Sequence, residues 1–153
     1  MVPPDLITEA RIISRCEVTS KKRLLESLGE LLAGPQLSPD AVFQCLRERE
    51  RLGSTGIGHG IALPHARVDE IEEPIGAFIQ LRTGVDFDAI DNRPVDLAFA
   101  LLVPGQADER HLQLLATLAE MFNDARLRER LRAADGNRRL LDLLTAAQPG
   151  ASV

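Results

Sequence analysis

At 153 residues the chain fits one domain and is long enough to bury a full core. Its formal charge of -5 argues against a general nucleic-acid binder, which needs a basic surface against phosphates, and the lack of Trp and Tyr argues against a base-stacking platform. No run approaches the roughly 18 apolar residues of a membrane span, and no basic stretch followed by an apolar one opens the chain, so neither a span nor a signal peptide is expected. Residues 5–147 read as one domain, with 1–4 and 148–153 as loose termini. Thr19-Ser20 caps a predicted helix whose leucines 24, 25, 28, 31 and 32 share a face, and Gly34-Pro35 ends it. Ser38-Pro39-Asp40 opens a second helix, with Val42, Phe43 and Leu46 on its buried side and the run Arg47 to Arg51 leading to a glycine-rich loop. Short strands are predicted near Ile12-Ile13 and Ile61-Leu63. A strand of period two follows over Ile75 to Arg82, and a nearly continuous apolar, central strand over Val95 to Val103. Asp91 to Pro94 forms the turn between the last two. After Pro104-Gly105, Asp108 is the expected cap of a helix with Leu112, Leu115, Ala119 and Phe122 inward, and two shorter helices follow near 127–131 and 140–144. Helices before, between and after strands predict an α/β domain with helices on both sheet faces, in a strand order these patterns do not give.

The chemistry concentrates between Gly53 and His65. Four glycines in this loop allow positive φ and close backbone approach, and a histidine there can serve as acid, base, metal ligand or covalent phosphate acceptor. The three histidines are His59, His65 and His111. Pro64 stiffens the approach to His65, and His111 falls in the first turn of a predicted helix, where backbone N–H groups favour an anion. His59 reads as a polar loop side chain.

Several chemistries lack their patterns. No HExxH or Cys-His cluster supports a zinc site, and no GxSxG elbow supports a serine hydrolase. No GxxxxGK[ST] loop supports nucleotide binding. The acidic run Asp86, Asp88, Asp91 and Asp96 lacks the glycine and terminal glutamate of a calcium loop, so turn and strand-end roles are expected. Cys16 and Cys45 show no disulfide framework and read as reduced thiols, Cys45 as a core residue. The arginines 126, 128, 130 and 132 read as a solvated helix face, with a docking patch for an acidic partner as the alternative for them and for Lys21-Lys22-Arg23.

The run RERLGSTGIGHGIALPH from Arg49 to His65 resembles the EIIA domain of the bacterial phosphoenolpyruvate phosphotransferase system, in its fructose/mannitol class. The segments FDAIDNRPVDL (Phe87 to Leu97), SKKR (Ser20 to Arg23) and LRAA (Leu131 to Ala134) resemble the nitrogen-regulatory branch of that class. The resemblance covers nearly the whole chain. It implies a mixed parallel and antiparallel sheet between helices, with His65 as the phosphoryl acceptor on its Nε2 (tele) nitrogen. It also implies that His111 and Arg49 stabilise the phosphoryl group, and leaves Ser54, Thr55, Gly58 and Gly60 as supporting residues. Neither cofactor nor metal is implied. The implied partners are a phosphorylated HPr-like carrier (NPr) loaded by an Enzyme I, and regulatory targets such as potassium-transport regulators or sensor kinases. The implied location is the cytoplasm. The alternative is a sugar-specific EIIA that passes phosphate to an EIIB. Many relatives carry Asn at the position of His59, and Gly-Lys where this chain has Ala66-Arg67.

Overall fold

The computed structural model describes residues 5–106 and 109–147; the expected cap at Asp108 and the termini 1–4 and 148–153 lie outside them. The chain enters through a single 3-10 turn (Glu9–Arg11) into β1 (Ile12–Cys16). Two helices follow, α1 (Lys21–Leu32) and α2 (Pro39–Arg51), and then three short strands, β2 (Gly56–Gly58), β3 (Ile61–Ala62) and β4 (His65–Val68). The long strands β5 (Ile75–Val85) and β6 (Val95–Pro104) lead to α3 (Glu109–Phe122), α4 (Ala125–Ala133) and α5 (Asn137–Ala146). Both early helices start as their sequences dictate. Ser20 Oγ accepts from Arg23 N and Ser38 Oγ from Ala41 N, each at 3.1 Å, and Pro39 occupies the first turn where its missing N–H costs nothing. Gly29 lets α1 lie against the start of α2, since a Cβ there would stand 2.9 Å from the Pro39 carbonyl oxygen.

The sheet is mixed, in the order β1-β5-β6-β3-β2, with β4 also on β6. β1 runs parallel to β5, β5 antiparallel to β6, β3 and β4 parallel to β6, and β2 antiparallel to β3. Residues 61–68 therefore track one edge of β6. Ile61 pairs with Leu97 and His65 with Leu101, and Pro64, which has no N–H to give the ladder, splits the track in two. The break is bridged by Leu101 N, which donates to the Pro64 carbonyl at 2.9 Å.

Strand alternation divides the core. Leu97, Phe99, Leu101 and Val103 face α3, α4 and α5, whereas Ala98, Ala100 and Leu102 face α1 and α2. On the first side, Phe78, Phe99 and Phe122 pack with ring centroids 6.0–6.4 Å apart. β5 lies between β1 and β6, as the period-two pattern of a strand allows, and Gln80 within it is only 3% exposed. Its amide donates to the carbonyls of Leu131 (2.7 Å) and Ala134 (2.9 Å) and accepts from Ser14 Oγ (3.1 Å) and Arg15 N (2.9 Å). One side chain thus joins β1, β5 and the end of α4. The inward face of α3 differs from expectation. Leu114, Leu118, Met121 and Phe122 are buried, Leu115 and Ala119 pack at the margin, and Leu112 is 62% exposed. A helix has one core-facing stripe, and setting it on Leu114 and Leu118 turns Leu112 outward.

Replacing Gln80 with Leu keeps the volume but strands the two carbonyls at the end of α4. Urea denaturation of Gln80→Leu is expected to show a stability loss of about 1–3 kcal/mol, the cost of buried groups left without partners; an unchanged midpoint would refute the staple.

Candidate functional site

His65 opens β4 directly after the break at Pro64, at the mouth of a cleft of about 700 Å3. Arg49 from the last turn of α2, Arg67 from β4 and His111 from the first turn of α3 line the same cleft. The ring of His65 is fixed at both nitrogens. Nδ1 lies 2.9 Å from the Leu63 carbonyl oxygen, which can only accept, so Nδ1 carries the proton. Nε2 then holds the lone pair, and Arg49 Nε donates to it at 3.3 Å. Arg49 is itself braced, because its Nη1 donates to the Gly53 carbonyl at 2.9 Å.

The electrostatics keep this ring neutral. Burial pushes the His65 pKa below the ordinary 6.5, and the Arg49 charge pushes it the same way; the Leu63 hydrogen bond and the Glu50 charge pull it back in part. A neutral imidazole with a defined tautomer and a lone pair directed into an open cleft is a nucleophile. Cys45, also on the wall, does not compete: burial and the Glu70 charge push its thiol pKa up, which keeps the sulfur protonated. Cys45 is half-buried and packs against the α1–α2 core, so the expectation of a core residue holds for one side of it only.

The polar groups of the glycine loop are engaged by its surroundings. Ser54 Oγ donates to the Phe87 carbonyl at 2.7 Å and accepts from Gly56 N at 3.0 Å. Thr55 is buried, with its N–H donating to Glu50 Oε1 at 3.1 Å and its hydroxyl to Glu50 Oε2. Both hydroxyls are thus spent anchoring the loop to its neighbours, and neither residue lines the cleft of His65. Gly58 and Gly60 adopt positive φ in the β2–β3 hairpin, away from that cleft. At Gly60 a Cβ would run into the Arg132 guanidinium, which holds Asp96 at 2.9 and 3.0 Å and donates to the His59 carbonyl. Arg132 is therefore a structural clamp, although the four arginines read as a solvated face. His59 is exposed with φ near 58°, a left-handed conformation in which Asn is enriched, and its N–H donates to Asp91 Oδ2 at 2.9 Å. Asp86 and Asp91 accept from backbone N–H groups two residues on, so the acidic run does turn work. Among the described residues no group of three or more His, Cys, Asp or Glu could hold a metal ion.

Two parts of the site are missing from the sequence reading. One is the apolar rim: Leu52 is 85% and Leu112 62% exposed, and both border the cleft. The phase of α3 carries the only signal for Leu112. The other is Glu50, which looked like one more charge in an alternating run and is in fact buried.

Fold and site together define a single-domain α/β protein with a histidine–arginine cleft at a broken parallel strand. The chain belongs to the family described as "Phosphoenolpyruvate-dependent sugar phosphotransferase system, EIIA 2", whose model matches residues 5–147. It is 43% identical over 148 residues to a nitrogen regulatory protein of Pseudomonas aeruginosa, covering 95% of this chain and 96% of the relative. It is 47% identical over 135 residues to that of Escherichia coli, covering 86% and 82%. The crystal structure of nitrogen regulatory protein IIA-Ntr from Neisseria meningitidis superposes with a TM-score of 0.86 at 43% identity, over 91% of this chain and 96% of the other. Within the family the chain falls in the nitrogen-regulatory branch.

Nitrogen-detected NMR of the imidazoles is expected to show His65 as the Nδ1–H tautomer at neutral pH, titrating with a midpoint below 6.5. An Nε2–H tautomer, or a midpoint above that value, would contradict the geometry.

Proposed function

We propose that His65 Nε2 accepts a phosphoryl group from the phosphohistidine of a small HPr-like carrier (NPr), itself loaded by an Enzyme I. On this reading the free and phosphorylated forms act differently on regulatory proteins. The observation that carries it is the ring of His65, with Nδ1–H committed to Leu63 and the Nε2 lone pair aimed past Arg49 into the cleft. The lone pair forms the new N–P bond as the donor's N–P bond breaks, and the electrons of the old bond return to the donor imidazole. Because Nδ1 keeps its proton throughout, the product ring is neutral and the phosphoryl group brings all the new charge.

Such a transfer is mostly positioning and charge stabilisation. Arg49 exchanges its contact with Nε2 for the phosphoryl oxygens, His111 donates from the side with the first-turn N–H groups of α3 behind it, and Arg67 adds a second guanidinium. No cofactor or metal takes part in this scheme. The apolar rim of Leu52 and Leu112 suits a protein face as the donor. The names of the similar proteins and the nitrogen-type segment Phe87 to Leu97 favour a regulatory output over sugar uptake. Potassium-transport regulators and sensor kinases are the targets this reading proposes, and the cytoplasm the place; no helix among the described residues is long and apolar enough to cross a membrane.

Intact-mass measurement after incubation with loaded carrier is expected to show one added phosphoryl group in the wild-type protein and none in folded His65→Ala; a full gain in that variant would sink the assignment. Arg49→Ala is expected to slow uptake by roughly 100- to 1,000-fold, the usual loss for one preorganised donor, and His111→Ala to slow it as well. Rapid onward transfer to a purified fructose or mannitol EIIB would favour the sugar-uptake reading instead.

A further inference from the structure

Arg49 and Glu50 are neighbours in the last turn of α2 and point to different places. Successive helix residues stand about 100° apart, so one side chain reaches the cleft while the other turns beneath the loop. The Glu50 carboxylate is buried, and three donors meet it: Lys21 Nζ from the start of α1 at 2.9 Å, Thr55 N at 3.1 Å, and the Thr55 hydroxyl. Lys21 is in turn seated on the Phe87 ring, 4.5 Å from its centroid. From Thr55 the connection continues through backbone. Leu63 N donates to the Thr55 carbonyl at 3.0 Å, and the Leu63 carbonyl accepts from His65 Nδ1 at 2.9 Å. An unbroken series of hydrogen bonds and peptide units thus links a buried ion pair to the imidazole, and the helix turn that carries Glu50 also carries Arg49.

We propose that Glu50 is a positioning residue for phosphoryl transfer: its buried carboxylate, held by Lys21, clamps Thr55 and through the Thr55 and Leu63 peptides fixes the orientation of the His65 ring against Arg49. The inference rests on His65 being the acceptor. Glu50 faces no donor protein and touches no reacting atom. It determines how much time Nε2 spends pointing into the cleft. Its charge also offsets part of the push that burial and Arg49 exert on the imidazole.

The test compares phosphoryl uptake from loaded carrier in wild type, Glu50→Ala, Glu50→Gln and Thr55→Val, with Gln80→Leu as a control that loses stability on the opposite face of the sheet. Glu50→Ala is expected to lower the maximal transfer rate at least tenfold with the carrier concentration for half-maximal rate unchanged. Glu50→Gln, which keeps an acceptor for Thr55 N, is expected to recover most of that loss, and Gln80→Leu to transfer like wild type. Nitrogen-detected NMR is expected to show His65 of Glu50→Ala as a mixture of tautomers. If Glu50→Ala does not fold, Thr55→Val decides: a lower maximal rate and a mixed His65 tautomer support the clamp. Wild-type rate and a single tautomer in a folded Glu50→Ala, or in Thr55→Val, overturn it, as does a loss in Glu50→Ala no larger than that in Gln80→Leu. A wild-type protein that takes up no phosphoryl group would instead refute the acceptor reading, and the tautomer comparison would still test the clamp.

Discussion

The peptide at Leu63-Pro64 governs the site more than any side chain. Proline cannot donate to the ladder, so the strand beside β6 must break there, and the break frees the Leu63 carbonyl from regular pairing. That carbonyl is the partner of His65 Nδ1. It chooses the tautomer, and the tautomer chooses which nitrogen keeps a lone pair. The register of β4 on β6, with His65 opposite Leu101, then sets that nitrogen beside Arg49 at the edge of the sheet. An ordinary continuous strand would point the same histidine side chain with its ring nitrogens unassigned.

The ring faces a second constraint, which is electrostatic. A nucleophilic imidazole must stay neutral while standing next to a cation, and burial together with Arg49 drives it that way. Driven too far, it would become a weak base and a weak nucleophile. Glu50 supplies the opposing charge from below without entering the cleft, and Lys21 pairs with that buried carboxylate at 2.9 Å, where an unpaired charge would be costly. The ion pair joins the start of α1 to the last turn of α2.

How much of this was legible in the sequence depends on the range of the interaction. Caps are local, and Ser20, Ser38 and Pro39 sit where their patterns put them. The central strand over Val95 to Val103 was legible because it is buried on both faces. β2 and β4 were not, since three or four residues that pair with a distant partner carry no period of their own. Gln80 and Glu50 mislead for a common reason: a polar residue in a pattern reads as exposed unless its partners are known, and those partners lie 51 to 66 residues away for Gln80 and 29 away in the case of Lys21 and Glu50. His65 stood out because Pro-His after a glycine loop is local. His111 stood out locally by its place in the first turn of a helix, but its role, like the choice of Arg49, came from a resemblance, which encodes tertiary proximity that spacing alone does not.

The loop glycines take on a different purpose in this light. A run such as Gly56-Ile57-Gly58-His59-Gly60 invites the idea of an anion cradle, yet the N–H of His59 is taken by Asp91, the carbonyl of His59 by Arg132, and the Ser54 and Thr55 hydroxyls by Phe87 and Glu50. The loop is a hairpin locked from three directions, and its glycines permit the locking contacts. A rigid hairpin holds Thr55 and Leu63 in place on either side of it, and those two residues join the buried Glu50 to His65. On the proposed reading, in which His65 takes a phosphoryl group from another protein, such stiffness lets each encounter begin with the acceptor already oriented, and no part of the docking energy is spent on ordering it.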